Sequence, residues 1–136
     1  MTMESDLLTR VGAVAGLSAL GGRIAWFERP RKVTPEFPAL VLTIVSPGRE
    51  WTHGGPDGLD RPRVQFDLYG TSVTELRGLF TALRGEMEVM PFADVGATRF
   101  HPAMLDTKRD LSPEDLTDGV RIFRISADFQ FYHEAI

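Results

Sequence analysis

Three histidines, two strand-borne aspartates and two serines are the residues in this chain whose types invite chemistry. His53 falls in a glycine-rich stretch, His101 at the start of one extended run and His133 at the end of another. A zinc site needs three or four converging donors, and no two of these histidines stand at ligand spacing. Solvated or hydrogen-bonded imidazole is the expectation, and no metal. The run His53-Gly-Gly-Pro-Asp-Gly58 has the glycines of a phosphate cradle. It lacks the Lys-Ser/Thr pair that completes one, and it does not open a helix. Ser72 and Ser126 have no nucleophile-elbow context, so they read as a helix cap and part of a polar sheet face. Asp67 and Asp128 face the polar side of two strands. Paired carboxylates divide acid and base work when one raises the pKa of the other. Here Arg124 or Arg63 can neutralise them as cross-strand partners, and no pocket is implied. No catalytic residue and no cofactor is expected.

The elements that would position these residues centre on 63–85. Val64, Phe66 and Leu68 alternate with Gln65, Asp67 and Tyr69, the period of a half-buried strand. After Gly70, Ser72 can cap the backbone N–H of Glu75 while Glu75 reaches back. Val73, Leu76, Leu79, Phe80 and Leu83 then form one helical stripe, with Gly85 as a suitable C′ residue. Residues 5–20 also predict helix, with Ser5 as N-cap and Glu4 and Asp6 near the positive end of the dipole. Leu7, Leu8, Val11, Val14 and Ala15 make its stripe. Gly12 and Gly16 each cost about 1 kcal/mol against alanine inside a helix, so the segment is expected to break in two. A short strand is expected over 23–27.

Arg29, Pro30, Arg31 and Lys32 form a basic cluster best read as a solvated turn, with a contact for an acidic partner as the alternative. Pro35 and Pro38 suit the approach to an edge strand. Leu40, Leu42 and Ile44 alternate with Val41, Thr43 and Val45, apolar enough on both faces to be covered on both. Residues 47–62 are rich in glycine, proline and charge, with no apolar face. A loop of that length in a compact fold is usually functional or disordered, and Trp51 within it would fold back or enter a partner's pocket. Residues 86–98 are expected to be irregular, and an extended run begins at Phe100 and continues to about Lys108. Ser112, Pro113, Glu114 and Asp115 suggest a capped helical turn, and Asp118 with Gly119 a chain reversal. In the last strand Phe123, Ile125, Ala127, Phe129 and Phe131 face one way, and Arg124, Ser126, Asp128, Gln130 and Tyr132 the other. The class predicted is α+β, a mostly antiparallel sheet of about four to five strands flanked by an N-terminal helix and one amphipathic helix.

At 136 residues the chain is expected to be one domain, 1–136. It buries enough surface to need no staple. Without cysteine it has neither disulfide nor thiol nucleophile, which fits a reducing cytoplasm. A net charge of −4 argues against sequence-independent nucleic-acid binding. The apolar N-terminal run is too short and glycine-rich to span a bilayer, and Glu4, Asp6 and Arg10 spoil it as a signal peptide.

In order and spacing, several pieces of this chain resemble the tail-terminator, or tail-completion, family of long-tailed phages and gene transfer agents. They are Leu20-Gly-Gly-Arg-Ile24, the proline-led strand over 38–45, and Val64-Gln-Phe-Asp-Leu-Tyr69 leading into the helix over 72–83. Leu105-Asp-Thr-Lys-Arg-Asp110 and Arg124-Ile-Ser-Ala-Asp-Phe-Gln-Phe-Tyr-His133 complete the set. The resemblance implies a non-enzymatic virion protein, assembled in the host cytoplasm as a ring that is commonly hexameric. That ring sits on the head-proximal end of the tail tube, contacts the tube protein and the head–tail connector or stopper, and lets DNA pass without specific binding. Candidate contact residues are Arg49, Trp51, His53 and Asp57 in the 47–62 excursion, and Arg124, Asp128 and Gln130 on the last strand. The alternatives are a head-completion or neck protein and, from another class, a small-molecule-binding α+β domain. The second needs convergent polar groups where the stripe residues are Phe, Leu, Ile and Val.

Overall fold

The computed structural model describes residues 2–28, 37–52, 55–115, 119 and 121–136, with the backbone alone at 49–52 and 55–59. In chain order, helix α1 (Met3–Gly12) and a short 3₁₀ helix (Ala15–Leu20) lead into β1 (Ile24–Trp26) and β2 (Ala39–Ser46). Next come β3 (Arg49–Thr52), β4 (Gly55–Asp60), β5 (Arg63–Gly70) and helix α2 (Val73–Met87). Strands β6 (Ala93–Val95), β7 (Thr98–Phe100), β8 (Met104–Asp115), β9 (Arg121–Gln130) and β10 (His133–Ala135) close the chain. The fold is α+β, with two five-stranded sheets: β1-β2-β5-β9-β8 and β3-β4-β10-β7-β6. Only β1 and β2 run parallel in the first sheet; its other pairs are antiparallel.

Register places the expected apolar rows on one face of the first sheet. Leu40 lies opposite Leu68 and Leu42 opposite Phe66, while Val64, Phe66 and Leu68 lie opposite Phe129, Ala127 and Ile125. The rings of Phe66 and Phe129 meet edge-on, 5.4 Å apart, an arrangement aromatic quadrupoles favour. Against this face pack Leu76, Leu79, Phe80, Leu83 and Met87 of α2, Leu7 and Val11 of α1, and Leu17 and Leu20 of the 3₁₀ helix. Each such side chain contributes about 1.5–3 kcal/mol by leaving water.

The N-terminal helix breaks where expected, and its glycines divide the work. Nothing stands within 4 Å of a Cβ added at Gly12, but one at Gly16 would lie 2.7 Å from Ala82 Cβ. Gly16 thus lets the 3₁₀ helix sit against α2. The cap is Thr2, not Ser5: Ser5 N–H donates to Thr2 Oγ1 and Thr2 N–H to Ser5 Oγ, both at 3.2 Å. Ser5 fills the position that Glu or Gln takes in a capping box. On α2, Ser72 Oγ accepts from Glu75 N–H at 3.3 Å as expected. Gly85, however, lies inside the helix, which runs on to Met87 and is capped by Glu88. Met87 is fully buried and its carbonyl accepts from Ala103 N–H at 2.7 Å, so packing extends the helix past the glycine.

Other differences have local causes. Strand β2 lies inside the sheet rather than at its edge, because the three residues of β1 cover its flank. Pro38 stands just before the ladder, where its missing N–H leaves no gap, and its carbonyl accepts from Arg23 Nε at 2.8 Å. Ala39 through Leu42 are buried on both faces, whereas Val45 and Ser46 are exposed. Instead of a loop, 47–62 contains the β3–β4 hairpin, with Thr52 opposite Gly55 and Trp51 opposite Pro56. Gly48, at φ 60°, makes its start, because a Cβ there would collide with the Arg61 carbonyl. Within 86–98 the end of α2 is followed by the β6–β7 hairpin, turning at Gly96 with φ 58°. Ser112 to Asp115 belong to β8 rather than to a helical turn. Pro113 falls where the β8–β9 register shifts, between Leu111 and Glu114, on an edge strand, the setting in which a strand tolerates proline. Gly119 has φ 84°, as a reversal requires, while Asp118, Pro35 and the 29–32 cluster lie outside the described residues.

Candidate assembly surfaces

Strand β9 places the second group of candidate residues. Its polar side chains point away from the helices, and cross-strand register sets Tyr69, Asp67 and Gln65 against Arg124, Ser126 and Asp128. Asp67 is buried at 4% exposure. It accepts from Gln65 Nε2 at 2.8 Å and from Arg124 Nε at 3.3 Å, so Arg124 is the neutralising partner. Arg63 pairs with Asp106 instead. Asp128 accepts from Thr107 Oγ1 at 3.3 Å. The Asp67 carboxylate is thus held by a guanidinium and an amide, and the register sets it opposite Ser126, with Asp128 opposite Gln65. Gln130 lies opposite Arg63 on one side and Met104 on the other.

The first group belongs to the other sheet. Arg49 and Trp51 stand on β3 and Asp57 on β4, with the Arg49 backbone opposite that of Asp60 in the ladder; His53 lies outside the described residues. The hairpin and the β9 face are thus two separate surfaces. His101 Nε2 stands 3.5 Å from Glu134 Oε1. His133 lines a notch of about 290 Å³ with Glu4 and Asp60. Burial pulls its pKa down from the ordinary value, against the smaller opposite pull of Asp60 and Glu4. Among the described residues no group of three or more His, Asp or Glu is placed to hold a metal ion. No helix among them is long and apolar enough to cross a membrane.

Three features were not foreseen. Asp6, expected beside a helix dipole, is fully buried and accepts from Thr98 Oγ1 at 2.6 Å and Ala97 N–H at 3.3 Å. One turn on, Arg10 donates to the Glu86 carbonyl and lies 3.5 Å from its carboxylate. Its guanidinium sits 5.3 Å from the Phe100 ring centre. Burial lowers the Arg10 pKa, with Glu86 opposing. The i, i+4 spacing of Asp6 and Arg10 beside Leu7 and Val11 was the available signal. The second feature is an exposed apolar cluster after α2: Met90 is 79% exposed, and Val89 and Phe92 38% each. The third is Phe27, exposed and at φ 67°, a conformation bulky residues rarely adopt; its N–H donates to Leu42 O at 2.8 Å.

Geometry and topology therefore define an α+β fold whose distinctive surfaces are hairpins, a long edge strand and apolar clusters. No family model matches the chain, and no curated protein matches it. Among solved structures it is similar to a chain from the virion of a native gene transfer agent particle, at 12% identity and a TM-score of 0.68. The match covers 97% of this chain and 94% of the other, and it shows a shared fold.

Proposed function

We propose that this chain is a structural protein of a phage-like particle and, within it, the tail terminator. In this reading it forms a ring, commonly hexameric, on the head-proximal end of the tail tube, ends tube growth and offers a surface to the head-side connector. The observation that carries the reading is the near end-to-end correspondence with a gene transfer agent virion chain, joined to the ordered sequence signatures from Leu20 to His133. The surface is suited to it. Strand β8 is a twelve-residue sheet edge, exposed along most of its length, able to continue into a neighbouring subunit. A heterologous contact that closes by rotation makes a ring and needs no catalytic group. A net charge of −4 suits a lumen through which DNA slides, since phosphate contacts would hold it. The reading includes no enzymatic activity and no cofactor.

The β3–β4 hairpin, with Arg49, Trp51, His53 and Asp57, is the first proposed contact with the tube or a neighbouring copy. Arg124, Asp128 and Gln130 are the second. Mass photometry of the purified protein, alone and with the tube protein of the same particle, is expected to give a closed ring. A chain that stays monomeric and fails to bind tube ends overturns the assignment. Recovery with separated heads rather than tails would favour the head-completion or neck protein.

A further inference from the structure

Helix α2 has an apolar feature at each end. At its first turn, Val73 and Leu76 line a groove of about 190 Å³ with Leu111 of β8 and Phe123 of β9, edged by Arg77. Beyond its last turn Met90 stands out as a knob, with Val89 and Phe92 part-exposed beside it. The helix that carries them is fifteen residues long, about 22 Å at the α-helical rise, so knob and groove cannot meet within one molecule. A knob at one end and a groove at the other fit a head-to-tail contact between identical copies, the kind that generates rings.

Charge favours the same occupant. The groove wall carries Arg77, which has no ion-pair partner among the described residues, and Arg124 against a single acid, Asp110. The knob, by contrast, is flanked by Glu88 and Asp94, each beside an arginine of its own, Arg84 and Arg99. Glu86 and Glu88 stand at the negative end of their own helix dipole, the wrong sign for that helix, though Arg10 and Arg84 pair with them. Beside the first turn of a neighbour's α2 their sign is right. The knob is also shaped in advance: Arg99 lies 3.9 Å from the centre of the Phe92 ring and holds Asp94 through two hydrogen bonds, at 2.8 and 3.1 Å.

We infer that Met90 and Phe92 of one copy enter the groove formed by α2, β8 and β9 of the next copy. This contact rests on the ring reading and specifies which surfaces close it. The chain has no cysteine, so Val73→Cys and Met90→Cys place single thiols at positions 37% and 79% exposed. Under conditions in which the native chain gives a ring, a short bismaleimide should link the double variant into a ladder that extends beyond dimers. An equimolar mixture of the two single variants should stop at dimers, and each single variant alone should stay unlinked. Efficient dimers from one single variant would mean a two-fold contact and overturn the inference. Rings seen by mass photometry without any ladder would overturn this contact and leave the ring reading standing. A chain monomeric under every condition, tube protein included, overturns both. Met90→Asp should weaken association about tenfold with unchanged circular dichroism and melting temperature; unchanged association would count against the knob.

Discussion

In the first sheet, β2, β5 and β9 are eight to ten residues long and present continuous apolar rows to three helical segments. In the second, three of the five strands have three residues each, and α1 is tied to the β6–β7 hairpin through the Asp6 carboxylate. One sheet is held mainly by burial, which is spread over many side chains and tolerant of detail. The other gives fewer side chains to that core, chiefly Phe100, and leans more on a few directed contacts that are sensitive to geometry. The contrast suggests that the second sheet opens first while the first sets global stability.

The largest effect expected is from Phe66→Ala. Phe66 is 1% exposed and touches Phe129 across the sheet. Truncation should cost about 3–5 kcal/mol, with both sheets melting together. Calorimetry showing a loss below about 1 kcal/mol would mean that burial is not what holds the first sheet.

Asp6→Ala comes next and acts elsewhere. It strips the buried Thr98 Oγ1 and the part-buried Ala97 N–H of their acceptor, at about 1–3 kcal/mol. Hydrogen exchange should speed up at residues 93–100 and 133–135 while β2, β5 and β9 stay protected. Uniform acceleration would erase the distinction between the sheets.

This contrast also explains what could be read in the residues alone. Alternation at Val64, Phe66 and Leu68 and the stripe from Val73 to Leu83 repeat a period several times, so β5, α2 and their packing were foreseeable. Strands such as 93–95 and 133–135 are too short for any period to show. The β3–β4 hairpin is written in Gly55, Pro56 and Gly58, residues that ordinarily mark loops, and it borders β10, which pairs with β4 at His133 and Asp60, far apart in sequence. Gly85 and Pro113 were misread for the same reason: a buried Met87 and a register shift against β9 override local preference. Strand parity alone puts Arg124 and Asp128 on the face of β9 away from the helices, and the register has them there. The knob at Met90 was missed because exposure of an apolar side chain has no sequence period.

Two glycine exchanges should differ in sign. Gly16→Ala puts a Cβ 2.7 Å from Ala82 Cβ, and overpacking of this kind costs about 1–3 kcal/mol. Gly85→Ala meets nothing within 4 Å inside a continuous helix, so it should stabilise by about 0.5–1 kcal/mol. Denaturant midpoints with unchanged m-values would measure both. A destabilised Gly85→Ala would restore Gly85 as a left-handed cap and shorten α2.

The smallest effect concerns acid, and it is expected to act on the second sheet. His133, on β10, has a pKa drawn below its ordinary value of 6.5 by burial, with Asp60 and Glu4 pulling weakly the other way. The unfolded chain therefore binds the proton more readily than the folded one near that pH. Stability from this group is complete above 6.5 and declines as the pH falls through that value toward the lower folded pKa. Once intrinsic exchange rates are corrected for, the amides of β10 and its partner β7 should open more often at pH 5.5 than at 7.5. The central strands should show little change. In His133→Gln that extra opening should vanish, because the amide side chain does not titrate. If the acid sensitivity persisted in the variant, or appeared equally in β5 and β9, the half-buried imidazole would not be its source.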